Sequence, residues 1–370
     1  MKSKIALFLP TLVGGGAEKV SVTLANSLVN LGYPVDFVLS NAVGAHLSTL
    51  DPKISLFDLK QKRILTSFLG LIKYLREQQP AILISGLSNA NTAALLATTL
   101  THLTCKVLIL HHNSWSQVLK NNPPPMEYFL FFLSKILYPR AAKIIAVSNE
   151  IADELARMKT IKPIHVEYIY NPVVTPELIE SSRQKPNHPW LIEKTEPVLI
   201  GIGRLVQEKD FENLIRAFHK VQQQVACKLL ILGEGPDRPK LEALIKQLGL
   251  SERIELPGFV KNPYAFLAYS DLFILSSRSE GLPTVLIEAM ACGTPVVSTN
   301  CISGPAEILE NGKYGALVPV GNVDMLANAM IESLRNPQSE QTLKDRAQLF
   351  SVEIATQAYI NIFNQVLSNP

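Results

Sequence analysis

The sequence predicts two consecutive doubly wound α/β domains, each on its own parallel sheet. Short apolar runs alternate with amphipathic stretches of helical length along most of the 370 residues. The alternation breaks once, in a proline-rich interval, and then restarts with the same rhythm. The runs are continuous in Val, Ile and Leu rather than alternating with polar residues, as strands buried on both faces are.

In the first half, Ile5 to Leu9, Val35 to Leu39, Ile82 to Ile84, Val107 to Leu110, Ile144 to Val147 and Val166 to Ile169 read as strands, giving a domain over 1–172. The interval from Pro172 to Pro197 holds five prolines and a polar patch at Ser181 to Lys185. Proline lacks the amide that a sheet or helix interior needs, so 173–196 reads as a linker. Strands resume at Val198 to Ile202, Lys228 to Leu232, Ile254 to Leu256, Leu272 to Leu275, Val296 to Ser298 and Gly315 to Val318, giving a second domain over 197–340. Residues 341–370 are amphipathic with no strand after them and predict a terminal helix free to pack on either domain.

A chain 47% hydrophobic supports a core in each domain. Net charge is +3 but uneven: up to Lys185 there are about 19 Lys and Arg against 12 Asp and Glu, and afterwards about 16 against 20. The basic half suits an acidic surface or a phosphate-bearing ligand. Cys105, Cys227, Cys292 and Cys301 form no CxxC pair and sit mostly in apolar runs, which predicts reduced thiols and a cytoplasmic protein. Lys2 and Lys4 precede an apolar run, but Pro10 interrupts it and no cleavage pattern follows, so a first strand is expected there rather than a signal peptide. No run approaches the roughly 20 apolar residues that span a bilayer.

Several loops after strands carry residues suited to chemistry. Gly14, Gly15 and Gly16 follow the first strand and open a helix, where backbone amides and the helix dipole favour a phosphate or oxyanion. His111, His112 and Asn113 follow another strand, where a neutral imidazole orients or polarises a reacting group. Gly203, Arg204 and Lys209 leave the first strand of the second domain, and a guanidinium fork with an ammonium five residues on can converge on a diphosphate. Gly233 and Gly235 end the next strand and permit close backbone approach by a flat base or ribose. Ser276 and Ser277 end a further strand before the turn Glu280, Gly281, Leu282, Pro283, and a helix opens at Thr284. A diphosphate fits the amides near Leu282 to Val285, and Glu288, embedded in an apolar helix, would be costly there without a partner such as a ribose diol. Cys301 to Glu307 form another loop and helix start whose direction the sequence leaves open. There is no HExxH, Asp-x-Asp or zinc spacing, so no metal or other cofactor is expected.

Glu280 and Glu288 with seven residues between them, inside EGLPTVLIEAMACGTPVV and after GRL...EKD, GEGP and SDLFILSS, resemble the retaining glycosyltransferase family four, which has the two-domain GT-B fold. GGGAEKV, AVSNE and YNPV extend the likeness into the first half. The resemblance implies a nucleotide-sugar donor on the second domain, an acceptor on the first, reaction in the cleft between them and a last helix crossing back to the first domain. It implies that Arg204 and Lys209 neutralise the diphosphate, Glu288 binds the ribose, Glu280 sits by the donor sugar, and Gly15 and Gly16 line the phosphate side. His112 fits the active-site histidine better than His111 because it directly precedes the Asn, though the doubling leaves both open. The implied reaction is retaining transfer from a UDP-sugar to an acceptor hydroxyl, independent of metal.

Two basic, apolar stretches suggest a lipid surface and a lipid-linked acceptor. Lys60, Lys62, Arg63, Lys73 and Arg76 surround Ile64, Leu65, Phe68, Leu69, Ile72 and Leu75, and Phe129 to Leu133 lie near Lys135 and Arg140. The likeness to enzymes extending lipid-linked glycans in surface polysaccharide and glycoprotein assembly points the same way. A nucleotide-sugar 2-epimerase and a non-catalytic relative of the same fold are the alternatives, and the missing dinucleotide fingerprint argues against an oxidoreductase.

Overall fold

A computed structural model describes residues 2–13, 15–61, 66–101, 104–120, 123–162 and 165–368. The chain divides into two compact units, Met1–Pro172 with Val352–Pro370, and Val173–Ser351.

The first unit holds a parallel sheet of β1 (Ile5–Leu9), β2 (Val35–Leu39), β3 (Ser55–Asp58), β4 (Ile82–Gly86), β5 (Lys106–His111), β6 (Lys143–Ala146) and β7 (Val166–Tyr168), in the order β3-β2-β1-β4-β5-β6-β7. Every residue of β1 is buried, with Ile5 set between Val35 and Ile82. The two edge strands depart from the apolar-run rule: β3 leaves Ser55, Leu56 and Asp58 exposed, and β7 carries Glu167 and an exposed Tyr168. The helix Gly16–Asn30 turns Leu24 and Leu28 onto the sheet, and Phe68–Gln78, Ser88–Thr101 and Pro125–Leu137 add further cover.

The terminal stretch 341–370 is two helices rather than one. Glu340–Ala347 stays in the second unit, and Val352–Ser368 packs Tyr359, Ile362 and Phe363 into the first unit's core, with Thr356 Oγ1 and Ser27 Oγ 2.9 Å apart. Each large apolar side chain so buried contributes roughly 1.5–3 kcal/mol.

The second unit holds β8 (Val198–Ile202), β9 (Lys228–Leu232), β10 (Ile254–Gly258), β11 (Leu272–Leu275), β12 (Val296–Thr299) and β13 (Ala316–Val318), parallel and ordered β10-β9-β8-β11-β12-β13. The interval expected to be a linker is folded into this unit. Pro176 and Pro189 open short helices, a position where the missing amide costs nothing. Thr175 caps the first, accepting from Leu178 N at 3.1 Å, and Asn262 Nδ2 donates to Ser181 O at 2.9 Å. His188 caps the second, and its Nε2 lies 2.7 Å from Glu255 Oε2.

In each sheet the winding reverses beside the first strand, between β1 and β4 and between β8 and β11. The carboxyl ends of strands beside such a reversal are the usual ligand position in open α/β sheets. Among the described residues no helix is long and apolar enough to cross a membrane.

Candidate active site

In the second unit, the loops leaving β8 and β11 are laced together at the reversal point. Lys209 ends a short turn, Gln207–Lys209, and its Nζ donates to Glu280 Oε1 at 2.6 Å. Ser277 Oγ donates to the same carboxylate oxygen at 2.6 Å, while Ser276 Oγ donates to Lys209 O at 2.8 Å. Behind them Thr299 Oγ1, on β12, donates to Ser277 O at 2.6 Å. One residue further along each loop, the Arg278 guanidinium grips the buried Asp210 carboxylate in a two-pronged pair at 2.8 and 3.1 Å. Such forked pairs fix orientation as well as distance.

Glycine places this assembly against β8 and β9. Gly203 lies under the Lys209 stem, where a Cβ would sit 3.3 Å from Lys209 Cδ. Gly233 has φ +132, and a Cβ there would fall 2.0 Å from Gly203 O; one on Gly235 would fall 2.3 Å from Leu205 O. The loops after β8 and β9 therefore touch backbone to backbone, joined by Leu205 N donating to Glu234 O at 2.9 Å. The contact between these two loops requires glycine at 233 and 235.

Arg204 is exposed, and its side chain makes no hydrogen bond or ion pair among the described residues. The structure thus joins Lys209 to Glu280 without joining it to Arg204. Gly281, Leu282, Pro283 and Thr284 carry the chain from Glu280 into the helix Thr284–Ala291. The 301–307 loop closes on this turn: Gly304 has φ +98, and a Cβ there would lie 2.4 Å from Pro283 Cδ. Glu288, one turn into the helix, is only 7% exposed, with the Tyr264 hydroxyl 3.5 Å from its Oε1.

In the first unit, Gly14 lies outside the described residues, as do Lys62, Arg63, Ile64 and Leu65. Gly15 precedes the first helix, and the Glu18 carboxylate folds back beside it, 2.1 Å from where a Cβ would be; the space beside Gly16 is open. The helix's own acid thus occupies part of the anion position expected there. His111 ends β5, 3% exposed, with its ring against Trp115 and Tyr138. His112 is half-buried and approaches Gly86, the last residue of β4, where a Cβ would lie 3.6 Å from His112 Nε2. Both rings line a pocket of about 360 Å³ with Ser88, Asn89, Asn113 and Glu127. Burial lowers the His111 pKa to about 3 and the His112 pKa to about 4, so both rings are neutral near pH 7.

The two basic stretches differ. The helix Phe68–Gln78 turns Leu71, Tyr74 and Leu75 inward, with Tyr74 OH donating to Asp36 at 2.7 Å, while Phe68 and Ile72 are half-buried and Leu69 is exposed. The helix Pro125–Leu137 buries Leu130, Ser134 and Leu137 and leaves Tyr128, Phe129 and Phe132 outside. The four cysteines are free, three of them buried. Among the described residues no group of three or more His, Cys, Asp or Glu is placed to hold a metal ion.

The Ser276-Ser277 pair is visible in the sequence, but what it holds is not, and neither are the roles of Arg278, Thr299 and Tyr264. A polar pair ending an apolar strand is a visible signal. Tyr264 reaches Glu288 from a separate helix, Pro263–Tyr269, and carries none.

The model of glycosyltransferase family 4 matches residues 14–176, and that of glycosyl transferases group 1 matches residues 182–350. The chain belongs to the family-4 glycosyltransferases. This glycosyltransferase is 29% identical over 357 residues to the N-acetylgalactosamine-N,N'-diacetylbacillosaminyl-diphospho-undecaprenol 4-alpha-N-acetylgalactosaminyltransferase of Campylobacter jejuni, covering 93% of each chain. It is 26% identical to the amylovoran biosynthesis glycosyltransferase AmsD of Erwinia amylovora, covering 90% of each. Among solved structures it is similar to a glycosyltransferase of Rickettsia africae, with a TM-score of 0.81, 20% identity and full coverage of both chains. It is also similar to HepE of Anabaena, solved with UDP and glucose, with a TM-score of 0.78, 20% identity and coverage of 98% of this chain and 100% of that one. The glycosyltransferase has the GT-B fold, with two Rossmann-like parallel-sheet domains.

Proposed function

We propose that the protein is a retaining glycosyltransferase that moves a sugar from a UDP-sugar to a hydroxyl of a lipid-linked glycan, forming an α linkage during surface polysaccharide or glycoconjugate assembly. The observation that carries this reading is the Lys209–Glu280 pair at the strand reversal of the second unit, where a cation and a carboxylate are held by Ser277 and Ser276.

In this reading the second unit takes the donor. Lys209 and the exposed Arg204 meet the charge of the departing diphosphate, aided by amides at the start of the Thr284–Ala291 helix, and Gly203, Gly235, Gly281, Leu282 and Pro283 shape the surrounding loops. Glu280 accepts hydroxyls of the donor sugar, and Glu288 accepts those of the ribose. The bond from the sugar's anomeric carbon to the diphosphate breaks while the acceptor oxygen bonds to that carbon on the same face. Preorganised charge at the leaving group is the dominant catalytic effect, and no metal is required. The pocket of the first unit takes the acceptor, with His112 neutral and able to accept a hydroxyl hydrogen. The Campylobacter relative's diphospho-undecaprenol substrate and 4-alpha linkage, and the UDP and glucose bound by HepE, support the choices of acceptor, linkage and donor.

The test is a screen of common UDP- and GDP-sugars with lipid-linked and water-soluble acceptors, reading nucleotide release and the anomeric configuration of the product. Acceptor-dependent UDP release with an α product is the expected result. Release without an acceptor would instead favour the epimerase, an inverted product would end the retaining assignment, and activity abolished by EDTA would end metal independence.

A further inference from the structure

The helix Pro125–Leu137 presents an apolar face that is uncovered among the described residues. Tyr128, Phe129, Phe132 and Ile136 are all exposed, Phe132 to 60%, at spacings that bring them to one side of the helix. The opposite side buries Leu130, Ser134 and Leu137. An exposed row of aromatic and aliphatic side chains is costly in water and marks an interaction surface.

The charged residues of the helix's exposed side and of the turn that follows it are basic. Lys135 lies on the same exposed side with Nζ 4.2 Å above the Phe131 ring, and Arg140 follows the helix with NH1 donating to Ile136 O at 2.7 Å. The helix's single carboxylate, Glu127, is instead half-buried and lines the pocket that holds His111 and His112. Apolar rings flanked by cations, without an exposed acid on the helix, match the interface of an anionic bilayer: rings enter the acyl boundary while ammonium and guanidinium groups meet headgroup phosphates.

We infer that the outer face of the Pro125–Leu137 helix seats the protein on an anionic lipid surface. The helix's other side, through Glu127 and Leu130, forms a wall of the histidine pocket. Membrane and pocket are then separated by about one helix diameter, roughly 10 Å. A sugar joined to a membrane lipid through a diphosphate can reach across that distance. The choice of a lipid partner rests on the acceptor proposed above.

The experiment is co-sedimentation of the full chain with vesicles of phosphatidylcholine alone and of phosphatidylcholine with phosphatidylglycerol, for the native protein and for a Phe129→Ser, Phe132→Ser variant. Both side chains are exposed, so the variant should keep its thermal midpoint. The expected result is binding to the anionic vesicles, weaker in high salt, and weakened about tenfold or more in the variant. No binding, or equal binding by the variant, overturns the proposal, and equal binding to phosphatidylcholine vesicles overturns the anionic choice. A native dimer that the variant dissociates would assign the face to a second copy and also overturn it. Transfer to a water-soluble acceptor should be unchanged in the variant; absence of that transfer in the native protein would count against the proposed function and leave the vesicle result standing.

Discussion

Lys209 Nζ lies 2.6 Å from Glu280 Oε1, across 71 residues of sequence and two loops, and Ser277 Oγ reaches the same oxygen at the same distance. One carboxylate oxygen therefore anchors both the ammonium and the hydroxyl.

Removing the ammonium should remove charge stabilisation at the leaving group. Lys209→Ala is expected to cut turnover by about 10²-fold or more, the usual loss for one preorganised donor at a developing charge. The measurement is nucleotide release with donor saturating, and an unchanged rate would contradict the role.

Ser277 acts through Glu280, so its contribution should depend on that carboxylate. Ser277→Ala is expected to lower kcat by about tenfold, the value of one hydrogen bond to a charged group. In a double-mutant cycle with Glu280→Gln the two losses should be strongly non-additive. Additive losses would mean that Ser277 only supports the loop.

The buried Glu288 carboxylate should hold two ribose hydroxyls. Glu288→Gln keeps the shape and removes the charge, and is expected to weaken UDP binding by about tenfold to a hundredfold in titration calorimetry. Tyr264→Phe should weaken it less, because the hydroxyl stands 3.5 Å from the carboxylate. Equal affinity in Glu288→Gln would place the ribose elsewhere.

Acid should destabilise the first unit through its histidines. Both rings have pKa values held below 6.5, His112 at about 4 and His111 at about 3, chiefly by burial. The unfolded chain takes up protons first as pH falls, so stability is fully present above about pH 6.5 and declines toward pH 4 and below. His112→Asn should flatten the fall in thermal midpoint between pH 6.5 and 4; an unaltered slope would show that carboxylates alone cause it.

Among the described residues, twelve of thirteen strands were legible from the sequence, the central ones because a strand buried on both faces is apolar throughout, whatever its neighbours. The exception, Ser55–Asp58, is an edge strand that leaves Leu56 exposed and so breaks the pattern. The candidate residues Lys209, Glu280, Glu288 and His112 were also legible, since charged or imidazole groups at strand exits and inside an apolar helix have few packing explanations.

Partnership was decided by tertiary structure alone. Lys209 meets Glu280 rather than Arg204, Asp210 meets Arg278, and Gly233 and Gly235 meet other loops, because side-by-side strands fix which exits touch and sequence distance does not. Pro176 and Pro189 likewise open helices on the second unit: a missing amide fits a first helical position, and only the surrounding packing reveals that one is there. The sequence by itself determined two parallel sheets and the residues at their edges; the fold determined which of them touch.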